Sequence, residues 1–204
     1  MKKLLISLVM LSVILAGCAK PQPKPQDTLS TFLDAFKASE ITDYAEFFEG
    51  DTEGMEGNPF ELDDEMPEAL GVQMMKLFQS YDYAIGDVTI EEDTAVVEVT
   101  FTGIDGKGFF QAWFTQYFME AMQLALSGGD EAAIEQLAVD LFVELSEELP
   151  TDHVITVDVE MVKVEDVWKI VLDKDDFDLF DGMSGGLLSG LMEMDDSIDP
   201  GTDE

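Results

Sequence analysis

Arginine is absent from the 204 residues, and cysteine and histidine each occur once, as Cys18 and His153. A single cysteine excludes an internal disulfide bond and a zinc site built from several cysteines. The 10 basic residues, all lysine, stand against 45 acidic residues and leave a formal net charge of -35. Such a surface repels phosphate backbones and anionic lipid headgroups. The composition therefore excludes nucleic acid as a partner and excludes membrane binding through a basic patch.

Apolar residues make up 46% of the chain, which is enough hydrophobic surface to form a core despite the high charge. A chain of this length is expected to fold as one domain. We expect that domain to cover residues 27–194. The remaining C-terminal residues, 195–204, are strongly acidic, and this composition predicts a disordered tail.

The N-terminal residues 1–17 have the features of a secretory signal peptide. Lys2 and Lys3 precede an uncharged apolar run from Leu4 to Leu15. That run is shorter than the roughly 20 residues that a membrane-spanning helix needs. The pattern therefore predicts a segment that is cleaved after secretion.

The four residues Leu15-Ala16-Gly17-Cys18 resemble the lipobox of bacterial lipoproteins. This resemblance implies cleavage between Gly17 and Cys18, and a lipid on the Cys18 thiol that anchors the chain to the extracytoplasmic face of the cell membrane. Two acyl chains on one residue give stable anchoring, whereas one chain binds only marginally. Prolines alternate with polar residues over the rest of residues 18–26, which predicts an extended polyproline spacer behind the lipidated cysteine.

Hydrophobic periodicity divides the rest of the chain into helices and hairpins. Apolar residues at helical spacing predict three helical segments. The first begins after a capping residue at Asp27, the second is a turn or two over residues 41–48, and the third ends near Tyr81. Alternating strands predict two β-hairpins, with turns at residues 91–93 and 165–166. Two helices are predicted between the hairpins, in residues 104–150, and a final helical segment in residues 177–192. This order predicts an α+β fold with an antiparallel sheet of about four strands.

Two short segments resemble a known family. The helix Thr28-Leu29-Ser30-Thr31-Phe32-Leu33-Asp34-Ala35-Phe36-Lys37 and the strand Val164-Glu165-Asp166-Val167-Trp168-Lys169-Ile170 are similar to small lipoproteins of Gram-positive bacteria with a nuclear-transport-factor-like, or cystatin-like, domain. The resemblance implies a long helix wrapped by a curved antiparallel sheet. The helices between the hairpins are an insertion relative to the simplest form of that domain. Some proteins of this fold are isomerases or hydratases, but a fold does not assign chemistry.

An aromatic stripe in residues 110–118 and a strand tryptophan are candidates for a ligand pocket. Trp113 and Tyr117 lie at helical spacing, and Trp168 lies in the last predicted strand. Aromatic side chains in a pocket bind apolar ligands, and on a surface they form a groove for a partner. The same spacing is also typical of a helix face that packs in the core.

A cluster of aspartates, Asp173, Asp175, Asp176 and Asp178, is a candidate calcium site. Carboxylate-rich clusters hold calcium at about millimolar affinity in extracellular modules. The spacing differs from an EF-hand loop, because an aspartate occupies the glycine position and Ser184 occupies the position of the final glutamate. The alternative is a solvated acidic surface that keeps the domain soluble.

The function that we expect is a membrane-anchored, non-catalytic binding or interaction module with a cationic or metal-bridged envelope partner and no cofactor except calcium. One alternative is a small isomerase or hydrolase that uses the pocket of the same fold, with His153 as a base oriented by a carboxylate. The other alternative is a calcium-dependent adhesion module. No serine lies in a nucleophile elbow, and the one cysteine is assigned to the anchor.

Overall fold

The structure, a computed structural model, describes residues 23–50, 68–147, 149–172 and 177–190. Helices and strands follow one another in blocks, which confirms the α+β class. The elements in chain order are α1 Pro25–Lys37, a 3-10 turn Tyr44–Glu46, β1 Phe48–Gly50, α2 Glu68–Phe78, β2 Asp82–Glu91, β3 Thr94–Gly103, α3 Gly106–Leu126, α4 Glu131–Glu147, β4 His153–Val164, β5 Val167–Leu172 and α5 Asp178–Met183.

One sheet contains all five strands in the order β1-β5-β4-β3-β2. The pairs β2–β3, β3–β4 and β4–β5 are antiparallel, so both predicted hairpins form. At the second hairpin turn, Glu165 and Asp166 have positive φ angles of 49° and 70°, as the two central residues of a type I′ turn require. The helices α3 and α4 lie between the two hairpins, as predicted.

The prediction of about four antiparallel strands is wrong in one respect, because β1 adds a fifth strand that runs parallel to β5. Phe48 pairs with Ile170, and the Ile170 N–H donates to the Phe47 carbonyl at 2.8 Å. The sequence predicted further helical turns here. A strand of three residues is too short to show alternation, and its pairing is decided by the sheet edge that it meets.

The main core lies between one face of the sheet and the helices α1 and α5, and we call it the sheet core. Alternate residues of β3 point into it, namely Ala95, Val97, Val99 and Phe101. From α1 it receives Leu29, Phe32, Leu33 and Phe36, which recur at helical spacing. Phe32 is 0% exposed and contacts Phe48 edge-on, with ring centroids 5.1 Å apart.

The first helix begins at Pro25, two residues before the predicted start at Asp27. Proline is tolerated at the first helical position because the N–H that it lacks has no partner there. Asp27 is the third helical residue, and its carboxylate accepts from the Lys24 backbone N–H at 3.4 Å. Pro25 is buried, so the last two residues of the predicted spacer belong to the folded domain.

The predicted final helix is shorter than expected. α5 ends at Met183, and helical structure returns only at residues 187–190. Gly185 and Gly186 separate the two segments with positive φ angles of 67° and 82°. Because only glycine adopts this conformation without strain, the chain turns here instead of continuing as one helix.

Candidate functional surface

Most of the predicted lipid and metal sites lie outside the described residues. This applies to Gly17, Cys18, Asp173, Asp175 and Asp176. The remaining predicted metal ligand, Asp178, is an exposed residue at the start of α5. Within the parts of the chain that the structure describes, no group of three or more histidine, cysteine or carboxylate side chains is arranged to hold a metal ion. The calcium hypothesis therefore stays a prediction.

The three predicted pocket residues are divided between two clusters. Trp168 is 5% exposed in the sheet core, whereas Trp113 packs in a second cluster, which we call the helical cluster. Tyr117 stacks on Trp113 with ring centroids 5.7 Å apart. The structure thus brings Trp113 and Tyr117 together and leaves Trp168 with the sheet, because Trp168 faces the sheet core from β5.

The helical cluster holds α3 and α4 together and joins them to α2. Its buried residues are Leu77, Ile104, Phe109 and Phe142. Trp113 packs edge-on against Phe142 at 5.6 Å, and its indole N–H donates to the Ala138 carbonyl of α4 at 3.0 Å. This side of α3, with its half-buried aromatics, is therefore packed against α4 as a core face.

The opposite side of α3 is apolar as well, but it is exposed. We call it the outer stripe, and it consists of Thr115, Phe118, Met119, Met122, Ala125 and Leu126. Phe118 is 56% exposed, Met119 60%, Met122 49% and Leu126 85%. Residues three and four apart share one face of a helix, so these side chains form a continuous strip. A helix that is apolar all round is normally buried, and this one is not.

Charge is nearly absent from α3, although the chain is strongly acidic. Over the whole helix only Lys107 and Glu120 carry a charge. The neighbouring helix α4 carries acids and no base, and those acids are exposed: Glu131, Glu135, Asp140, Glu144 and Glu147. The α3–α4 hairpin therefore has an uncharged apolar strip on the outer side of α3, while α4, on the other side of α3, is acidic.

The base of α3 is fixed to the segment after α5 by backbone contacts. The N–H groups of Gly106 and Lys107 donate to the Gly185 carbonyl at 2.9 and 3.2 Å. A Cβ atom on Gly185 would collide with the Ile104 carbonyl oxygen, so only glycine fits there. Beyond this base, α3 packs principally against α4. The second half of the hairpin therefore has few other supports among the described residues.

The base of the α3–α4 hairpin and the start of α1 lie at opposite ends of the sheet. Gln79 and Tyr81 donate to the carbonyls of Phe36 and Leu33, and Tyr83 donates to that of Ser30. Residues 79, 81 and 83 thus contact successively earlier residues of α1. The helix α1 therefore runs antiparallel to β2.

The C-terminal end of α1 is therefore at the end of the sheet where β2 begins. Asp82 of β2 pairs with Thr102, and α3 starts at Gly106, shortly after β3 ends. The N-terminus of α1, a helix of 13 residues, lies about 20 Å away toward the other end.

Three tyrosines that contact α1, namely Tyr44, Tyr81 and Tyr83, have phenol pKa values above the usual value. Burial raises the pKa of the Tyr81 phenol far above its usual value, and the neighbouring Tyr83 and Asp34 raise it further. Burial also raises the pKa of Tyr44 and of Tyr83, and for Tyr83 the hydrogen bond to the Asp34 carboxylate adds to the effect. The Tyr81 hydroxyl donates to the Leu33 carbonyl at 2.9 Å, and it does so only while it is protonated.

His153, the candidate base of the enzyme hypothesis, is the first residue of β4 and pairs with Gly103. It is partly buried at the end of the sheet where α3 begins. In the part of the chain that the structure describes, no hydrogen bond or ion pair joins it to a carboxylate, and its catalytic role stays a prediction.

Sequence reasoning identified the aromatic stripe but did not separate its two sides. Phe118 belongs to the outer stripe, while Trp113 and Tyr117 belong to the side packed against α4. The apolar spacing does not mark Met119, Met122 and Leu126 as surface residues. The available signal was the near absence of charge in 21 consecutive helical residues, because an ordinary surface helix has a polar face.

Within residues 23–50, 68–147, 149–172 and 177–190, no helix combines the length and the apolar composition needed to cross a membrane. Comparison with protein-family models gives no match, and comparison with curated proteins gives none either. Among solved structures, the chain is similar to YcdA from Bacillus subtilis strain 168, whose name describes it as a lipoprotein. The two share 15% sequence identity with a TM-score of 0.43, over 78% of this chain and 44% of the YcdA chain. This chain therefore spans less than half of YcdA, and the likeness is too low to transfer a fold or a function.

Proposed function

We propose that the protein is an extracytoplasmic lipoprotein, anchored in the cell membrane through a lipid on Cys18, whose α+β domain is a non-catalytic binding module. The observation that carries the proposal is the lipobox-like Leu15-Ala16-Gly17-Cys18 after an uncharged apolar run. The cleaved chain would begin at Cys18, and two acyl chains on that residue would supply the affinity for a bilayer.

The start of α1 defines a short tether. Six residues, 19–24, separate Cys18 from the buried Pro25. Fully extended, they reach about 20 Å. The tether would hold the N-terminal end of α1 close to the lipid headgroups, while the strong negative charge of the domain opposes contact with anionic lipid.

The binding role is supported by the surface of the domain. Acidic residues dominate it, and they favour cationic or metal-bridged envelope partners over anionic polymers. The outer stripe adds an exposed apolar strip, which is typical of an interaction surface. At a finer level, we propose the curved cystatin-like arrangement for the sheet and α1, on the basis of the segments that resemble that family.

Exchange of Cys18 tests the anchor. Cys18→Ser removes the thiol, so we expect the protein to lose incorporation of a palmitate analogue and to leave the membrane fraction. The matched control exchanges Lys20 and Lys24 for glutamine and keeps Cys18. The control protein should stay in the membrane fraction, because the lipid and not the lysines provides attachment. Membrane attachment of the Cys18→Ser protein would refute the proposed anchor.

A further inference from the structure

We propose that the outer stripe of α3 docks into an apolar groove, rimmed by lysine or arginine side chains, on a partner protein. This inference gives the binding module of the proposed function a surface and a class of partner. The stripe is the part of the described surface where four large apolar side chains, Phe118, Met119, Met122 and Leu126, lie next to one another on one helix and are each about half exposed or more.

The spacing of the stripe fits recognition of a helix face by a groove. Thr115, Phe118, Met122 and Leu126 follow one another at intervals of three and four residues. Helices that bind in grooves use anchors at these intervals. The other side of α3 is packed against α4 through Trp113, so the helix presents the stripe on a formed support. The stripe is therefore ordered before binding, which lowers the entropic cost of association.

Charge determines the chemistry of the groove's rim. The stripe itself carries no charge, but the chain around it has a formal net charge of -35, and α4, on the other side of α3, has acids as its only charged residues. This field attracts a partner with a basic rim and repels a partner with an acidic rim. Lysine is scarce on this chain and arginine is absent, so the basic groups have to come from the partner.

A second copy of the chain fits this surface less well. Each copy has a formal net charge of -35, so two copies repel each other. The four large side chains expose on the order of 400 Å², which is about half of what each partner buries in a stable interface. A groove on a partner protein that surrounds the sides of α3 contributes the remaining contact area. A symmetric pair of α3 helices from two copies of the chain does not.

The membrane that holds the lipid anchor also fits less well. The tether enters at the N-terminal end of α1, and α3 begins at the opposite end of the sheet. The stripe lies on a helix without the lysine-rich polar face that interfacial helices use to bind anionic lipid.

A defined peptide probe tests the inference on the chain from Cys18 to Glu204 with Cys18→Ser. The probe is a designed helical hairpin of leucine and lysine, with its leucines lining the groove between its two helices and its lysines along the rim of that groove. A second peptide has the same composition, reordered so that no apolar face forms, and therefore the same charge. We expect the first peptide to bind at least about tenfold more tightly, because it alone buries the stripe.

Two variant proteins locate the site. Phe118→Gln with Met122→Gln should remove the tenfold preference and leave the melting temperature unchanged. The control, Val72→Gln with Val154→Thr, changes side chains that are 52% and 57% exposed elsewhere and should keep the preference. Equal binding of both peptides by the unmodified stripe, or a preference that survives in the stripe variant, overturns the inference.

Two further measurements test whether the outer stripe binds a second copy of the chain or lipid instead of a partner's groove. A dimer in sedimentation that the stripe variant loses assigns the surface to a second copy. Binding to phosphatidylcholine vesicles with the same dependence on Phe118 and Met122 assigns it to lipid. Either result overturns the partner groove, and neither depends on whether Cys18 carries a lipid. Failure of the docking surface and failure of the proposed anchor are therefore distinguishable.

Discussion

The sheet core and the α3–α4 hairpin are both rich in apolar side chains, but they bury them to different extents. In the sheet core, Leu29, Phe32 and Leu33 of α1 are 0% exposed. On α3, Phe118 is 56% exposed and Leu126 is 85% exposed. α1 has one apolar face and a polar face, whereas α3 has an apolar face against α4 and a second one outward.

The difference shows which part of the molecule provides stability and which part has apolar surface available for binding. Burial of a large apolar side chain contributes about 1.5 to 3 kcal/mol relative to leaving it exposed. The sheet core obtains this contribution from nearly all of its members. The outer stripe does not, so its composition is not explained by the stability of the free protein.

Truncation of one phenylalanine in each region gives the largest expected contrast. Phe32→Ala leaves a cavity among Phe36, Phe47 and Phe48 and should lower the free energy of unfolding by about 3 to 5 kcal/mol. Phe118→Ala removes a side chain that is mostly in solvent and should change it by less than about 0.5 kcal/mol. Urea denaturation measures both, and similar losses would show that the hairpin also supports the core.

A pair of glycines tests the attachment of the hairpin. Gly185 and Gly128 both have positive φ, at 67° and 89°, but only Gly185 has a backbone carbonyl, that of Ile104, where a Cβ would lie. Gly185→Ala should cost about 2 to 4 kcal/mol, from backbone strain plus the collision. Gly128→Ala, in the turn between α3 and α4, should cost about 1 kcal/mol, from strain alone. Equal losses in thermal unfolding would contradict the tight junction at Gly185.

Alkaline pH should weaken the sheet core through Tyr81. The folded protein raises the pKa of this phenol, so above the unfolded value of about 10 the unfolded chain releases a proton that the folded chain keeps. The stabilising contribution is thus complete below about pH 10 and is lost as the pH rises further. Tyr81→Phe should cost about 1 kcal/mol at pH 7, from the lost bond to Leu33, and should flatten the alkaline decline. An unchanged decline between pH 9 and 11 would assign it to other groups.

The smallest effect is expected from calcium. If the aspartates at residues 173–178 are solvated surface, then calcium, magnesium and sodium at matched ionic strength should raise the melting temperature by similar amounts. A site filled at about 100 times its dissociation constant adds about 2.7 kcal/mol, which corresponds to about 5 to 10 °C here. A shift of that size with calcium alone would establish the metal site that the sequence also allows.

The sequence predicted the hairpins and the order of elements because these depend on local patterns. Val97, Val99 and Phe101 alternate strictly, and the turn at Glu165 and Asp166 needs only two residues. The strand β1 was not predicted, because three residues carry no period and the partner, Ile170, is more than a hundred positions away. Pro25 marks the helix start only once its burial is known.

The candidate surface was predicted only in part for a similar reason. Apolar spacing in α3 predicted a helix with an aromatic stripe, and it did not show which side α4 covers. That depends on the contacts of Trp113 with Ala138 and Phe142, residues of another helix. Trp168 and Trp113 belong to separate clusters, and residue type alone does not show this separation.

Hydrogen exchange of the backbone amides tests the division between the two regions most directly. Amides of a stable core exchange through global unfolding, whereas weakly supported elements open locally. We predict that the amides of α1 and β3 exchange with the free energy of global unfolding, and that those of residues 115–126 exchange at least about tenfold faster, through local opening of the hairpin. Exchange of residues 115–126 at the rate of α1 and β3 would show that the hairpin is part of one cooperative core and would contradict the account.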